Sequence, residues 1–251
     1  MKTNMNQQVA SLMRGRLALV AIVAWAAVMS LAGCSFSSLT TASNLPEGEG
    51  QFFVAPGYNR YQRSQGEPLW APQLEVGGRY AITDRVEVGG KVWLPGAQVD
   101  VKVAMLGQEE RGRGFNLSLD PSLGYLGGFE GNPEGGDTLH IVTVGLPVLM
   151  GWEFGESELV FGPRLIDQVW TGTGDTLTAN IVAVGASLGF AWYVGRGVTV
   201  LPEVSWGTIV AQSLEDFGSN FGRGGTLVQG TLGFVFGGHG GPECPCPCPA
   251  P

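Results

Sequence analysis

From Gln51 to Phe236 apolar residues alternate with polar or small ones, in about ten segments separated by Gly, Asp, Asn and Pro turns. Between Leu177 and Tyr193 the even positions Val182, Val184, Leu188, Phe190 and Trp192 are large and apolar. The odd positions Ala179, Ala183, Gly185, Ser187, Gly189 and Ala191 are small. Between Thr138 and Phe154 the set Val142, Val144, Leu146, Val148, Met150, Trp152 and Phe154 opposes Thr143, Gly145, Pro147, Gly151 and Glu153. Period two over such lengths predicts β-strands, and no stretch of useful length shows helical periodicity. The domain is therefore expected to be all-β and antiparallel.

Charge sharpens the picture between Gln73 and Lys102. Leu74, Val76, Tyr80 and Ile82 oppose Gln73, Glu75 and Arg79; Val86, Val88 and Val92 oppose Glu87 and Lys91; Val99, Val101 and Val103 oppose Asp100 and Lys102. A soluble sandwich would bury the apolar face and wet the charged one, whereas a membrane barrel would reverse them. Three features favour the barrel. Many segments run about 9 to 14 residues, enough for a tilted strand to cross a bilayer, while globular strands centre on five or six. The non-apolar face carries both charge signs, with Glu75, Glu87, Asp100, Asp120, Glu153 and Glu203 facing Arg79, Lys91, Lys102 and Arg164 among small residues, a set suited to a lumenal ion network. Trp152, Phe154, Phe161, Trp192 and Phe236 fall toward one rim of an up-and-down meander and Trp206 toward the other, as interfacial girdles require. About ten strands are expected, and eight are also compatible; either number closes around a narrow or plugged lumen. Two connectors fit the meander less well: Leu94 to Gln98 is short for the outer side and Gly107 to Gly114 long for the inner side.

At the amino end Lys2, Arg14 and Arg16 precede an apolar run from Leu17 to Ala32, the order of a secretory leader. The run closes on Leu31-Ala32-Gly33-Cys34, which resembles the lipobox of bacterial lipoproteins. The resemblance implies cleavage after Gly33 and a diacylglyceryl group on the Cys34 sulfur. Ser35 in the next place implies sorting to the outer membrane. Segment 34–50, with its Ser and Thr clusters and Pro46-Glu47-Gly48-Glu49-Gly50, is expected to be a flexible tether. The β-barrel domain then occupies 51–236. Across that span the chain resembles the small outer-membrane β-barrel proteins of Gram-negative bacteria. The last strand, Thr226 to Phe236, matches their carboxy-terminal assembly signal at Gln229, Phe234 and Phe236, but has Thr231 where glycine is expected, and 15 residues follow it. The resemblances imply outer-membrane lipid, the barrel assembly machinery and the lipoprotein sorting machinery as partners.

Composition excludes several functions. The leader takes three of the 14 basic residues and none of the 22 acidic ones, moving the formal charge from −8 to −11, which argues against nucleic acid as a partner. The chain has two histidines, His140 and His239, and neither belongs to a recognisable catalytic arrangement. His140 shares the apolar face near a strand end and reads as structural. The tail 237–251, with Cys244, Cys246 and Cys248 alternating with Pro, reads as a disordered extended segment whose spacing is unlike that of zinc sites. No catalytic, cofactor or metal site is expected. The leading expectation is a non-enzymatic outer-membrane lipoprotein with a structural, surface-interaction or limited transport role. The alternative is a lipid-anchored soluble periplasmic β-barrel whose apolar face encloses a hydrophobic ligand.

Overall fold

The computed structural model describes residues 35–62, 67–107, 113–132, 137–172, 178–195, 197–213 and 225–237. The leader, Cys34, His239 and the three tail cysteines lie outside the described residues. The strands are β1 (Gly50–Gln62), β2 (Leu69–Thr83), β3 (Val86–Trp93), β4 (Gly96–Leu106), β5 (Arg113–Leu119), β6 (Ser122–Asn132), β7 (Asp137–Phe154), β8 (Ser157–Gly172), β9 (Thr178–Gly195), β10 (Val198–Gln212) and β11 (Thr226–Gly237).

Strands adjacent around the wall run antiparallel, and β11 returns to β1 with Phe52 opposite Phe236 and Arg60 opposite Val228, so the sheet closes on itself. The segments β5 and β6 are two pieces of one stave. Both pair with β4 and with β7; Leu119 opposes Val103 and Ser122 opposes Asp100. The interruption falls at Asp120-Pro121, where proline has no N–H to give to the ladder. The ladder groups beside it are still satisfied, by Asp120 N donating to Pro147 O at 3.1 Å and Val101 N to Pro121 O at 3.0 Å. The wall is thus a closed antiparallel barrel of ten staves.

Both chain ends of the barrel, Gly50 and Gly237, lie at one rim, here the near rim. The tight turns Asp84–Arg85 and Gly155–Glu156 are also there, the latter with Gly155 at φ +65°, a value a two-residue hairpin turn favours and a side chain resists. The connectors 63–68, 133–136, 173–177 and 213–225 join strands at the far rim, together with the tight Leu94–Pro95 turn. The short Leu94–Pro95 connector is therefore a real feature of this meander, and the other connector that fits less well falls largely outside the described residues, between β4 ending at Leu106 and β5 beginning at Arg113.

Side chains divide as a membrane wall requires. Leu74, Val76, Tyr80, Val99, Leu123, Val144, Leu165, Leu188, Val204 and Leu232 are exposed on the outer surface. Gln73, Glu75, Arg79, Glu87, Lys91, Asp100, Lys102, Asn116, Ser118, Asp120, Glu203 and Gln229 are buried inside. Aromatic pairs mark both rims: Phe52 with Phe236 and Phe115 with Trp152 near, each 5.3 Å between ring centroids, and Tyr58 with Trp70 far, at 5.5 Å. Trp206 does not belong to the far girdle as the sequence suggests. It is the ninth of the 15 residues of β10, and its ring lies 6.4 Å from that of Phe161, the fifth of the 16 residues of β8, so Phe161 too stands further from its rim than the sequence suggests.

The largest departure from the sequence reading is the segment before β1. Residues 35–49 are not a free tether: Ser37, Leu39, Thr40, Ala42 and Leu45 are buried, and the chain runs inside the barrel before it turns at Pro46–Glu49 into β1.

Candidate functional site: the lumen and its resident segment

The ion network centres on Arg79 of β2. Its Nη2 lies 2.7 Å from Asp100 Oδ1 and 2.9 Å from Asp120 Oδ2, and Nη1 lies 3.9 Å from Glu87. Lys102 approaches Glu87 at 2.9 Å, Lys91 approaches Glu75 at 2.9 Å, and Arg164 reaches Glu203 at 4.0 Å. Glu153 accepts a hydrogen bond from Asn116 Nδ2 at 2.8 Å. Strand parity explains the assembly. Alternate residues of β2, β3 and β4 face inward, and their register sets Glu87 opposite Lys102 and Gly89 opposite Asp100. Gly89 leaves room there: a side chain on it would meet Arg79 Cγ at 3.0 Å and would collide with the Asp100 carboxylate. Charges excluded from water need such partners, since an unpaired one is costly.

The same side chains hold the resident segment, chiefly by its main chain. The consecutive N–H groups of Ser38 and Leu39 both donate to the Glu203 carboxylate, at 2.7 and 2.8 Å. Those of Ala42 and Ser43 donate to Glu158 Oε1 at 2.9 and 3.2 Å, and Ser43 Oγ donates to Oε2 at 2.6 Å. Successive amides converging on one anion form a backbone nest, and the segment has two. Leu39 adopts φ +46°, a conformation that costs a non-glycine residue about 1–2 kcal/mol. Glu203 and a pocket of Phe53, Ala55, Ala191, Leu201 and Val235 around its side chain hold it there.

Carbonyls receive the cations. Lys91 Nζ donates to Ser37 O at 2.6 Å and to Ser35 Oγ at 2.5 Å; Lys102 Nζ donates to Ser43 O at 2.8 Å and Thr41 O at 3.2 Å; Arg164 donates to Phe36 O. Ser118 Oγ donates to Ala42 O at 2.6 Å. Gln229 accepts from Phe36 N at 2.6 Å and donates to Glu75 at 2.7 Å, tying the segment to the wall network. Leu45 N donates to Glu87 at 2.6 Å. Above this polar middle, toward the far rim, Trp93, Leu126, Ile141, Trp170, Ala179 and Ile181 pack together across the lumen, with Ile209 against them. The interior is therefore filled from the near side by peptide and toward the far side by hydrocarbon.

Several members were missed from sequence. Glu158 reads as part of a turn, but the two-residue turn Gly155–Glu156 leaves it as the second residue of β8, buried and facing in. Asn116 and Ser118 are uncharged and gave no signal beyond their parity, and Gln229 stood out only as the polar position of the last strand's assembly signal. The apolar face on which the soluble-barrel alternative rests is the outer one, and the described interior is lined by charged and polar side chains below the cluster around Trp93 and Trp170, which overturns that expectation.

The lumen's charged groups bind one another and the resident segment. Its carboxylates are engaged by ammonium, guanidinium, amide or hydroxyl donors. Among the described residues no group of three His, Cys, Asp or Glu is placed to hold a metal. His140 lies on the outer surface near the far rim, with Nδ1 2.6 Å from the Tyr125 hydroxyl and the two rings stacked at 6.0 Å.

No protein-family model matches the chain, and none of the curated proteins is similar to it. Among solved structures it is similar to Neisserial surface protein A, at 9% identity and a TM-score of 0.42 over 76% of this chain and 99% of that one. It is similar also to Ail, the attachment invasion locus protein of Yersinia pestis, at 11% identity and a TM-score of 0.35 over 76% and 99%. The outer membrane protease OmpT of Escherichia coli is similar at 10% identity and a TM-score of 0.36 over 81% and 98%.

Proposed function

We propose that this protein is a non-enzymatic outer-membrane lipoprotein whose barrel crosses the bilayer with its lumen sealed, serving a structural or surface-interaction role. One observation carries the reading: the wall is apolar outside and ionic inside. Leu74, Val99, Leu123, Val144, Leu188 and Val204 face outward around the circumference while Arg79, Lys91, Lys102 and their carboxylates face the lumen. In water such an outer surface far exceeds the few hundred square ångströms of contiguous apolar patch that monomers tolerate. In lipid it is the expected face, and closure leaves no unpaired strand edge in hydrocarbon. The lipobox Leu31-Ala32-Gly33-Cys34 supports the lipoprotein part, with outer-membrane lipid and the sorting and assembly machineries as its partners.

A general pore is disfavoured by the filled interior, so the surface presented beyond the far rim is where interaction would occur. The test is to export the Cys34→Ala chain with an ordinary cleavable leader. Retention in urea-washed outer membranes, with a gel shift that appears only after boiling, is the expected result. Release as a soluble folded protein would overturn the spanning barrel and leave lipid as the sole anchor.

A further inference from the structure

The lipobox and the resident segment make incompatible demands on the same few residues. Ser35 lies inside the barrel, its Oγ 2.5 Å from Lys91 Nζ, and Phe36 next to it is held by Gln229 and Arg164. Cys34 is bonded directly to Ser35, and consecutive Cα atoms are about 3.8 Å apart. The groups around Ser35 are an ammonium, carboxylates, amides and a guanidinium, which offer hydrocarbon no favourable contact. Toward the far rim the way is filled by Trp93, Leu126, Ile141 and Trp170 with their neighbours. The wall is hydrogen-bonded around its whole circumference, so no lateral gap joins the lumen to the bilayer. Acyl chains on Cys34 belong in the bilayer, on the other side of that wall.

We propose that acylation of Cys34 and the seating of residues 35–45 in the lumen exclude one another; this rests on the lipoprotein reading above. In the unacylated chain the segment is the plug described here. In the acylated chain it is withdrawn through the near rim, where it enters, and becomes a tether. Its geometry suits both roles. The 15 residues 35–49 span up to about 50 Å when extended, at roughly 3.3–3.6 Å per residue, ample to carry Cys34 from Gly50 at the near rim to the adjacent leaflet. Apart from Phe36, Leu39 and Leu45 its side chains are small or polar, and the lumen grips it mainly by N–H and C=O groups, which water satisfies equally. Withdrawal leaves Glu158 and Glu203 without their amide nests, and Lys91, Lys102 and Arg164 without their carbonyls, facing an opened inner vestibule.

The experiment uses the full chain with Cys244, Cys246 and Cys248 replaced by Ser. A single reporter thiol is introduced as Ser38→Cys or Thr41→Cys. Each variant is made acylated, with its own leader, and unacylated, as Cys34→Ala with an ordinary leader, and labelled with a charged maleimide. Intact mass reports the acyl groups. At both positions labelling should run at least about a hundredfold slower in the unacylated chain than in the acylated one. Protection at either position in a chain shown by mass to be acylated overturns the proposal. Absence of acyl mass overturns the lipoprotein reading and the proposal with it. If both forms label quickly, amide exchange at Leu39 and Ala42 in the reporter-free proteins decides. Protection in the unacylated form alone sustains the proposal, and any other pattern overturns it.

Discussion

Arg79→Leu is the substitution whose consequence the structure defines best. The guanidinium is 3% exposed and holds Asp100 and Asp120 at 2.7 and 2.9 Å; its third neighbour Glu87 keeps Lys102 at 2.9 Å. Loss of Arg79 therefore strands chiefly the two aspartates, side by side in a wall facing a filled interior. Removing one partner of a buried ion pair costs about 3–5 kcal/mol. At about 1.4 kcal/mol per factor of ten, the folding equilibrium should fall by roughly two to nearly four powers of ten. Replacing the whole set, Arg79→Leu with Asp100→Asn and Asp120→Asn, removes the stranded charges and should recover most of the loss, because neutralised networks are often nearly as stable as ionic ones. Urea titration in phospholipid vesicles, read by tryptophan fluorescence and by the heat-dependent gel shift, measures both variants. A single variant within about 1 kcal/mol of the parent, or a triple variant no better than the single, would refute the reasoning.

Four further outcomes are expected. Leu188→Arg, midway along β9 on the outer face, should destabilise the barrel in vesicles by about 2–4 kcal/mol, whereas Val194→Arg at the near rim should cost about 0–1 kcal/mol; equal losses would contradict the assigned depths. In the Cys34→Ala chain, Glu203→Ala removes the acceptor of the Ser38 and Leu39 amides, and their hydrogen exchange should accelerate while that of β9 is unchanged. Gly151→Val places a side chain against Ala42 Cβ, 2.8 Å from its own Cβ, and against the Glu158 carboxylate, so the second nest should open and expose Ala42 and Ser43 to exchange. Planar-bilayer recordings of the Cys34→Ala protein should show no sustained conductance, since its lumen is filled from both sides; steady channels would sink the sealed interior.

The wall was legible because a two-sided strand writes its orientation into every second residue. Glu75 and Arg79, Glu87 and Lys91, and Asp100 and Lys102 share a parity that alone directs them inward, and the run lengths indicated staves for a bilayer. The resident segment was not legible, for a physical reason. Ser35 to Asn44 lacks the apolar area that marks a buried stretch, and its composition matches a solvated linker. Its binding groups are main-chain N–H and C=O, which every non-proline residue carries, so they leave no trace in residue identity. A weaker signal lay in the wall: inward positions hold more carboxylates than cations, which leaves Glu158 and Glu203 to be met by main-chain N–H groups. Trp206 was misplaced because parity gives a face and not a depth.

The central claim, apolar outside and ionic inside across a bilayer, is tested most directly by the protein's own tryptophans. Variants of the Cys34→Ala chain that retain one tryptophan each would be folded into vesicles containing lipids brominated at defined depths. Trp206 should be quenched most by bromines near the bilayer centre, and Trp152 and Trp192 by bromines near the headgroups. Trp93 and Trp170, which face the far part of the lumen, should be quenched little by either. Quenching of Trp93 or Trp170 equal to that of Trp206, or an unquenched Trp206, would contradict the account.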